Sequence, residues 1–159
     1  MYRERKAMIM KLWKTALAAL VNLAVLLAFS ATSTQAAVKK VSYPKTGSYC
    51  TTLATSDAFG MGYAPKVTAS GDKVTFIGKF TKVKNTGLFP EPEHKLKYGK
   101  YTFTLDSKCK FEVPGPLDAI HVSKKKFLSN LKTVSRHHDG LGVVVCVKKG
   151  KAKTVSLVS

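Results

Sequence analysis

Strict alternation of apolar and polar residues is the feature that most limits what this chain can fold into. Over residues 100–106, Tyr101, Phe103 and Leu105 fall on one side and Lys100, Thr102, Thr104 and Asp106 on the other. Successive side chains of a strand point to opposite faces, so such a run is a half-buried strand. The pattern recurs over residues 73–83, where Val74, Phe76 and Phe80 share a face with Gly78, opposite Lys73, Thr75, Ile77, Lys79, Thr81 and Val83. A shorter alternating run at 66–69 precedes it across Ser70-Gly71-Asp72, which predicts a hairpin. Gly78 within a strand predicts a bulge or a sharp bend of the sheet, as at the corner of a barrel. Further strands are expected at 109–113, 141–147 and 152–158, set apart by Ser107-Lys108, Pro114-Gly115-Pro116 and a turn around Gly150. Residues 38–48, 60–65 and 84–97 read as loops, and 49–59 carries no clear period.

One helix interrupts the strands. Phe127, Leu128, Leu131 and Val134 follow the spacing of a buried helical stripe, and Ser123 stands where an N-cap belongs. The chain is therefore expected to be mostly β, a β-rich α+β fold. Either a small antiparallel sheet or an OB-like barrel, of about five to six strands with one helix, accommodates the order. Five principal strands with a helix before the last two is the order of an oligonucleotide/oligosaccharide-binding barrel, and this is an analogy of order alone.

The N-terminus reads differently. Arg3, Arg5, Lys6, Lys11 and Lys14 precede an apolar core at 16–29, then small polar residues and Ala36-Ala37. This is the pattern of a cleaved secretory signal peptide over residues 1–36, with Thr34 and Ala36 in the small-residue positions and Met8 or Met10 as alternative starts. A membrane-spanning helix needs roughly 20 apolar residues, so membrane attachment is expected only if the leader stays uncleaved. Residues 37–159 then form a single exported domain, secreted or extracytoplasmic.

Of the 27 basic residues 22 lie after Ala37, with 8 of the 9 acids, so the domain carries a formal charge of +14. Arg136 is its sole arginine. Base reading and bidentate capture of phosphate favour the planar guanidinium, whereas lysine acts as a point charge. The composition therefore argues against sequence-specific DNA recognition and for attraction to anionic envelope or extracellular polymers. The same lysines also serve solubility and keep sheet edges apart.

Three cysteines remain. Export permits a disulfide, and Cys50 with Cys109 is the expected pair, because Cys146 lies in the apolar run Val143-Val144-Val145-Cys146-Val147; the other two pairings stay open. Lys124-Lys125-Lys126 occupies the first helical turn, where the backbone already presents partial positive charge, and an anion held there would relieve the conflict. Lys97, Tyr98 and Lys100, with Tyr63, are the surface candidates for a basic, ring-bearing contact. His137-His138-Asp139, His94 and His121 lack the ligand spacing of a metal site, and no cofactor is expected. Glu91 and Glu93 flank Pro92 near His94, but no nucleophile elbow or phosphate-cradling loop accompanies them, so no catalytic residue is assigned.

Three functional classes fit. The first is an exported non-catalytic binding or structural module for anionic polymers. The second is a small secreted hydrolase or enzyme inhibitor working through the 84–97 loop. The third is a protein-interaction domain whose lysines serve only solubility.

Overall fold

Strand alternation sets the architecture of the computed structural model, which describes residues 38–84, 90–137 and 140–159. The leader at 1–36, Phe89 at the middle of the 84–97 loop and His138-Asp139 lie outside the described residues. The strands are β1 (Gly47–Thr52), β2 (Lys66–Ser70), β3 (Lys73–Gly78), β4 (Thr81–Val83), β5 (Pro92–Lys95), β6 (Gly99–Val113), β7 (Ile120–His121), β8 (Gly142–Lys148) and β9 (Lys151–Val158), and the helix α1 (Lys124–His137) lies between β7 and β8.

The protein is mostly β, with one mixed, open sheet in the order β2-β3-β6-β9-β8-β1-β4-β5 and β7 beside β6. Two sequence expectations are corrected here. The sheet is not wholly antiparallel: β6 and β9 run parallel, because α1 and β8 form the crossover that a parallel pair requires. Among the described residues the sheet also ends in unpaired edges at β2 and β5, so hydrogen bonding does not close it into a barrel. The strand count exceeds expectation for local reasons. The 73–83 run breaks at Lys79-Phe80 into β3 and β4, and the 84–97 loop contains β5, paired to β4. Ser107-Lys108, expected as a turn, lies inside the continuous β6, where the register with β9 shifts between Leu105 and Lys110.

The inward faces of the strands make the main core. Tyr49 from β1, Phe76 from β3, Tyr101 and Phe103 from β6, and Val143, Val145, Val155 and Leu157 from the last two strands are all at most 2% exposed, as is Phe80 between β3 and β4. The helix closes part of this core with its apolar stripe. Phe127 and Leu131 are buried, Leu128 and Val134 pack beside them, and the Phe127 ring lies 5.2 Å from Phe111. Ser123 caps the helix as expected, its Oγ accepting from the Lys126 N–H at 3.3 Å.

Gly78 and Gly99 face each other across the β3–β6 pair. The Tyr63-Ala64 backbone crosses directly over Gly78, and the segment from Lys39 to Val41 crosses over Gly99. The glycine expected at a bend or bulge ends β3, where the run breaks, and is also a place where another stretch of backbone passes.

A second, smaller apolar cluster lies on the opposite face of the sheet: Cys50, Val83 and Val144, with Met61, Cys146 and Val158. Thr81 sits in the same row as Cys50, is 0% exposed, and its Oγ1 has no hydrogen-bond partner among the described residues. A buried hydroxyl without a partner carries its desolvation penalty uncompensated, so Thr81→Val is expected to raise stability by about 1 kcal/mol. Urea denaturation reads this as a higher midpoint at an unchanged m-value; a lower midpoint would show that the hydroxyl is bonded in solution.

Candidate functional site: a lysine–threonine face

Register, more than sequence proximity, assembles the site. The β2–β3 pair sets Lys66 against Ile77, Thr68 against Thr75 and Ser70 against Lys73. The β3–β6 pair continues the same rows to Lys100, Thr102 and Thr104. A parallel bridge adds Lys40 beside Lys100, held by the Val41 N–H donating to Lys100 O and the Lys100 N–H donating to Lys39 O. The outward face of this half of the sheet therefore carries three rows. The first is Lys66, Ile77, Lys100 and Lys40; the second is Thr68, Thr75 and Thr102; the third is Ser70, Lys73 and Thr104. Strands lie about 4.8 Å apart and same-face residues about 6.7 Å, which puts Lys66 and Lys100 roughly 10 Å apart. Thr75 and Thr102 bond to each other through their hydroxyls at 3.0 Å.

The charge on this face is only partly compensated, since Asp106 at its edge is taken up by Lys153 and Asp72 stands exposed in the β2–β3 turn beside Lys73. Among the described residues, Lys82 pairs with Glu93, Lys95 with Asp57, Lys153 with Asp106, and His121 with Glu112. Lys40, Lys66, Lys73 and Lys100 are exposed and have no carboxylate within ion-pair distance among the described residues. The Lys153 ammonium and the Lys108 N–H bond to Asp106 beside the face and hold its carboxyl below the ordinary value.

Both ends of the face carry residues singled out from sequence. At one end Lys124 donates from Nζ to Gly71 O in the β2–β3 turn at 2.8 Å, tying the helix start to the Ser70–Lys73 row. Lys125 and Lys126 stand exposed next to it in the chain. At the other end Tyr98 stacks on Tyr63, with centroids 6.0 Å apart and planes 43° apart, and Lys79 Nζ lies 5.9 Å from the Tyr63 ring centre. Lys97 is exposed, and its carbonyl accepts a hydrogen bond from Tyr101 OH. Lys40, Lys66, Lys73 and the threonine row escaped sequence reading. The alternation that exposes them is visible, but the register that aligns them is not.

The cysteine expectation is corrected. All three thiols are free. Cys50 pairs with Val144, Val144 with Ser156, and Ser156 with Glu112, so Cys50 is three strands from β6 and Cys109. Along the sheet that is about 14 Å, and no two of the three cysteines come within the roughly 7 Å Cα separation that a disulfide spans. The relative burial is reversed as well: Cys50 is 4% exposed, whereas Cys146 is half-buried and accepts from Ser48 Oγ at 3.6 Å. Burial pushes the Cys50 thiol up to about 11. Cys109 also rises to about 11, through burial and then the Asp106 charge. Neither thiol is a poised nucleophile at neutral pH.

In the region assigned to the hydrolase reading, Glu93 is ion-paired to Lys82 and His94 is exposed on the β5 edge strand. Among the described residues no three His, Cys, Asp or Glu side chains are placed to hold a metal, and no helix is long and apolar enough to cross a membrane. Compared with protein-family models, curated proteins and solved structures, the chain matches none.

Proposed function

We propose that this protein is an exported, non-catalytic binding module for anionic polymers at or outside the cell envelope, and that the outward face of β2, β3 and β6 is its contact surface. The observation that carries the reading is the row pattern itself: lysines from four separate chain segments converge on one face with no acid opposite them. Lysines retained only for solubility have no reason to align across strands in rows that hold no acid.

The fold supports the same reading. β3 and β4 are consecutive stretches of one chain, so the open path β3-β6-β9-β8-β1-β4 begins and ends on neighbouring segments, joined through Lys79-Phe80 and not by strand pairing. With α1 between β6 and β8, we read this as a partly open barrel of the oligonucleotide/oligosaccharide-binding kind, in which the face of the second and third strands carries the ligand. Counting β3–β4 as the second strand and β6 as the third, that face coincides with the lysine–threonine rows. The residues assigned to the site are Lys66, Lys73 and Lys100, flanked by Lys97 and Tyr98 at one end and by Lys124, Lys125 and Lys126 at the other.

Binding of the purified protein to a sulfated glycan, single-stranded DNA and a phosphate-rich wall polymer, titrated against salt, tests this. Three lysines at up to about 1 kcal/mol each make the triple variant Lys66→Ala/Lys73→Ala/Lys100→Ala lose roughly tenfold or more in affinity at about 50 mM salt. Its salt dependence should also be shallower than that of the wild type. Lys124→Ala/Lys125→Ala/Lys126→Ala should lose less. Equal losses in the two triple variants would mean that net charge, not this face, governs binding.

A further inference from the structure

We infer that the polymer is an acidic polysaccharide, a chain that carries flat ring faces and free hydroxyls besides its negative groups; this rests on the reading of the β2–β3–β6 face as the polyanion surface. Charge alone needs neither of the other two features of the site.

The first is the ring pair. Tyr63 and Tyr98 stand outside the main core, Tyr98 is 45% exposed, and Lys79 sits over the Tyr63 ring. An exposed ring with ammonium groups close by suits a ligand whose flat faces alternate with anionic groups. The second is the hydroxyl row. Thr68, Thr75 and Thr102 lie between the row of Lys66 and Lys100 and the row of Lys73. A threonine hydroxyl both donates and accepts, whereas carboxylate, sulfate and phosphodiester oxygens only accept. Thr75 and Thr102 bond to each other, which leaves Thr68 and the remaining donor and lone pairs of that couple; a row that still offers both functions between two cationic rows matches a polymer whose own hydroxyls do both. Nucleic acid fits less well, because no arginine stands on this face; Arg136 lies in the last turn of α1.

The probes are a sulfated oligosaccharide, inorganic polyphosphate and poly(dT), each titrated at about 150 mM salt, where diffuse attraction is largely screened. The wild-type protein should bind the sulfated oligosaccharide most tightly. Tyr98→Ala should weaken that binding about fivefold to tenfold, the usual worth of one aromatic contact, and change polyphosphate binding less than about twofold. Tyr98→Phe keeps the ring and should stay near wild type. Circular dichroism melts verify that the variants remain folded. Equal effects of Tyr98→Ala on glycan and polyphosphate would overturn the assignment, as would tightest binding to poly(dT), which would move the ligand to single-stranded nucleic acid. Failure of all three probes to bind the wild-type protein would instead retire the polyanion reading itself.

Discussion

Phe103→Ala is expected to remove about 3–5 kcal/mol of folding stability. Four rings surround this side chain: Tyr43 at 4.8 Å, Phe80 at 5.4 Å, Phe76 at 6.0 Å and Tyr49 at 6.1 Å between centroids. They come from two stretches, 43–49 and 76–80, so Phe103 joins parts of the chain that are distant from it and from each other in sequence. The rings cannot all collapse into the space it leaves, because two are anchored at their polar ends. Tyr43 OH donates to Thr102 O and Tyr49 OH to Pro44 O, both at 2.7 Å. Domains of this size hold roughly 5–15 kcal/mol, so the loss is a large share of the total. Urea denaturation followed by tyrosine fluorescence measures it. Phe103→Leu, which keeps most of the volume, should cost less than about 1.5 kcal/mol. A cost below about 1 kcal/mol for the alanine variant would mean that this ring cluster is not the centre of the core.

The second large effect comes from adding an atom. A β-carbon at Gly78 would lie 2.0 Å from Tyr63 O and 2.7 Å from Ala64 Cα, both backbone atoms. Backbone cannot step aside as a flexible side chain can. The displaced segment also donates and accepts bonds that hold the sheet: Lys79 N–H to Tyr63 O at 2.8 Å and Ala64 N–H to Thr52 O at 2.7 Å. Gly78→Ala should therefore cost about 3 kcal/mol or more, at the upper end of overpacking penalties. Gly71→Ala is the control. Its φ of 56° disfavours a side chain, but no atom lies within 4 Å of the added carbon, so only the conformational cost of about 1 kcal/mol applies. If both variants cost the same, the close passage of Tyr63-Ala64 over β3 is not present in solution. Because Tyr63 also stacks on Tyr98, Gly78→Ala should disturb the ring pair as well.

Sequence carried the elements further than their partners. Alternation marked β3 and β6 because one face of each is solvated, and the helical stripe with its serine cap marked α1. In β8 the signal fails: five of its seven residues are apolar in succession, so nothing in the order says whether Cys146 or Val145 faces the core. For that reason the sequence expects Cys146 to be the more buried thiol, whereas Cys50 is. The break at Lys79-Phe80 was equally hidden, since Phe80 keeps the phase of Val74 and Phe76 across it. The candidate site was half legible. Tyr98, Lys100 and Lys124 could be picked out one by one as exposed cations or rings. Their assembly with Lys66, Lys73 and Lys40 depends on which residue opposes which, and register between distant strands is settled by the packing of the finished core.

The position of β9 bears on how the protein comes to be folded. It is the last strand in the chain, yet it lies between β6 and β8 and hydrogen-bonds to both. Without residues 151–158 strand pairing leaves two ladders, β2-β3-β6 and β8-β1-β4-β5, joined through the chain at Lys79-Phe80. Neither ladder has a finished core to rest on. The sheet can be completed only once the final strand is in place, so cooperative folding waits until that strand has emerged. The pairing of β9 with β8 is a local hairpin, but its pairing with β6 is distant in sequence and makes the step a slow one.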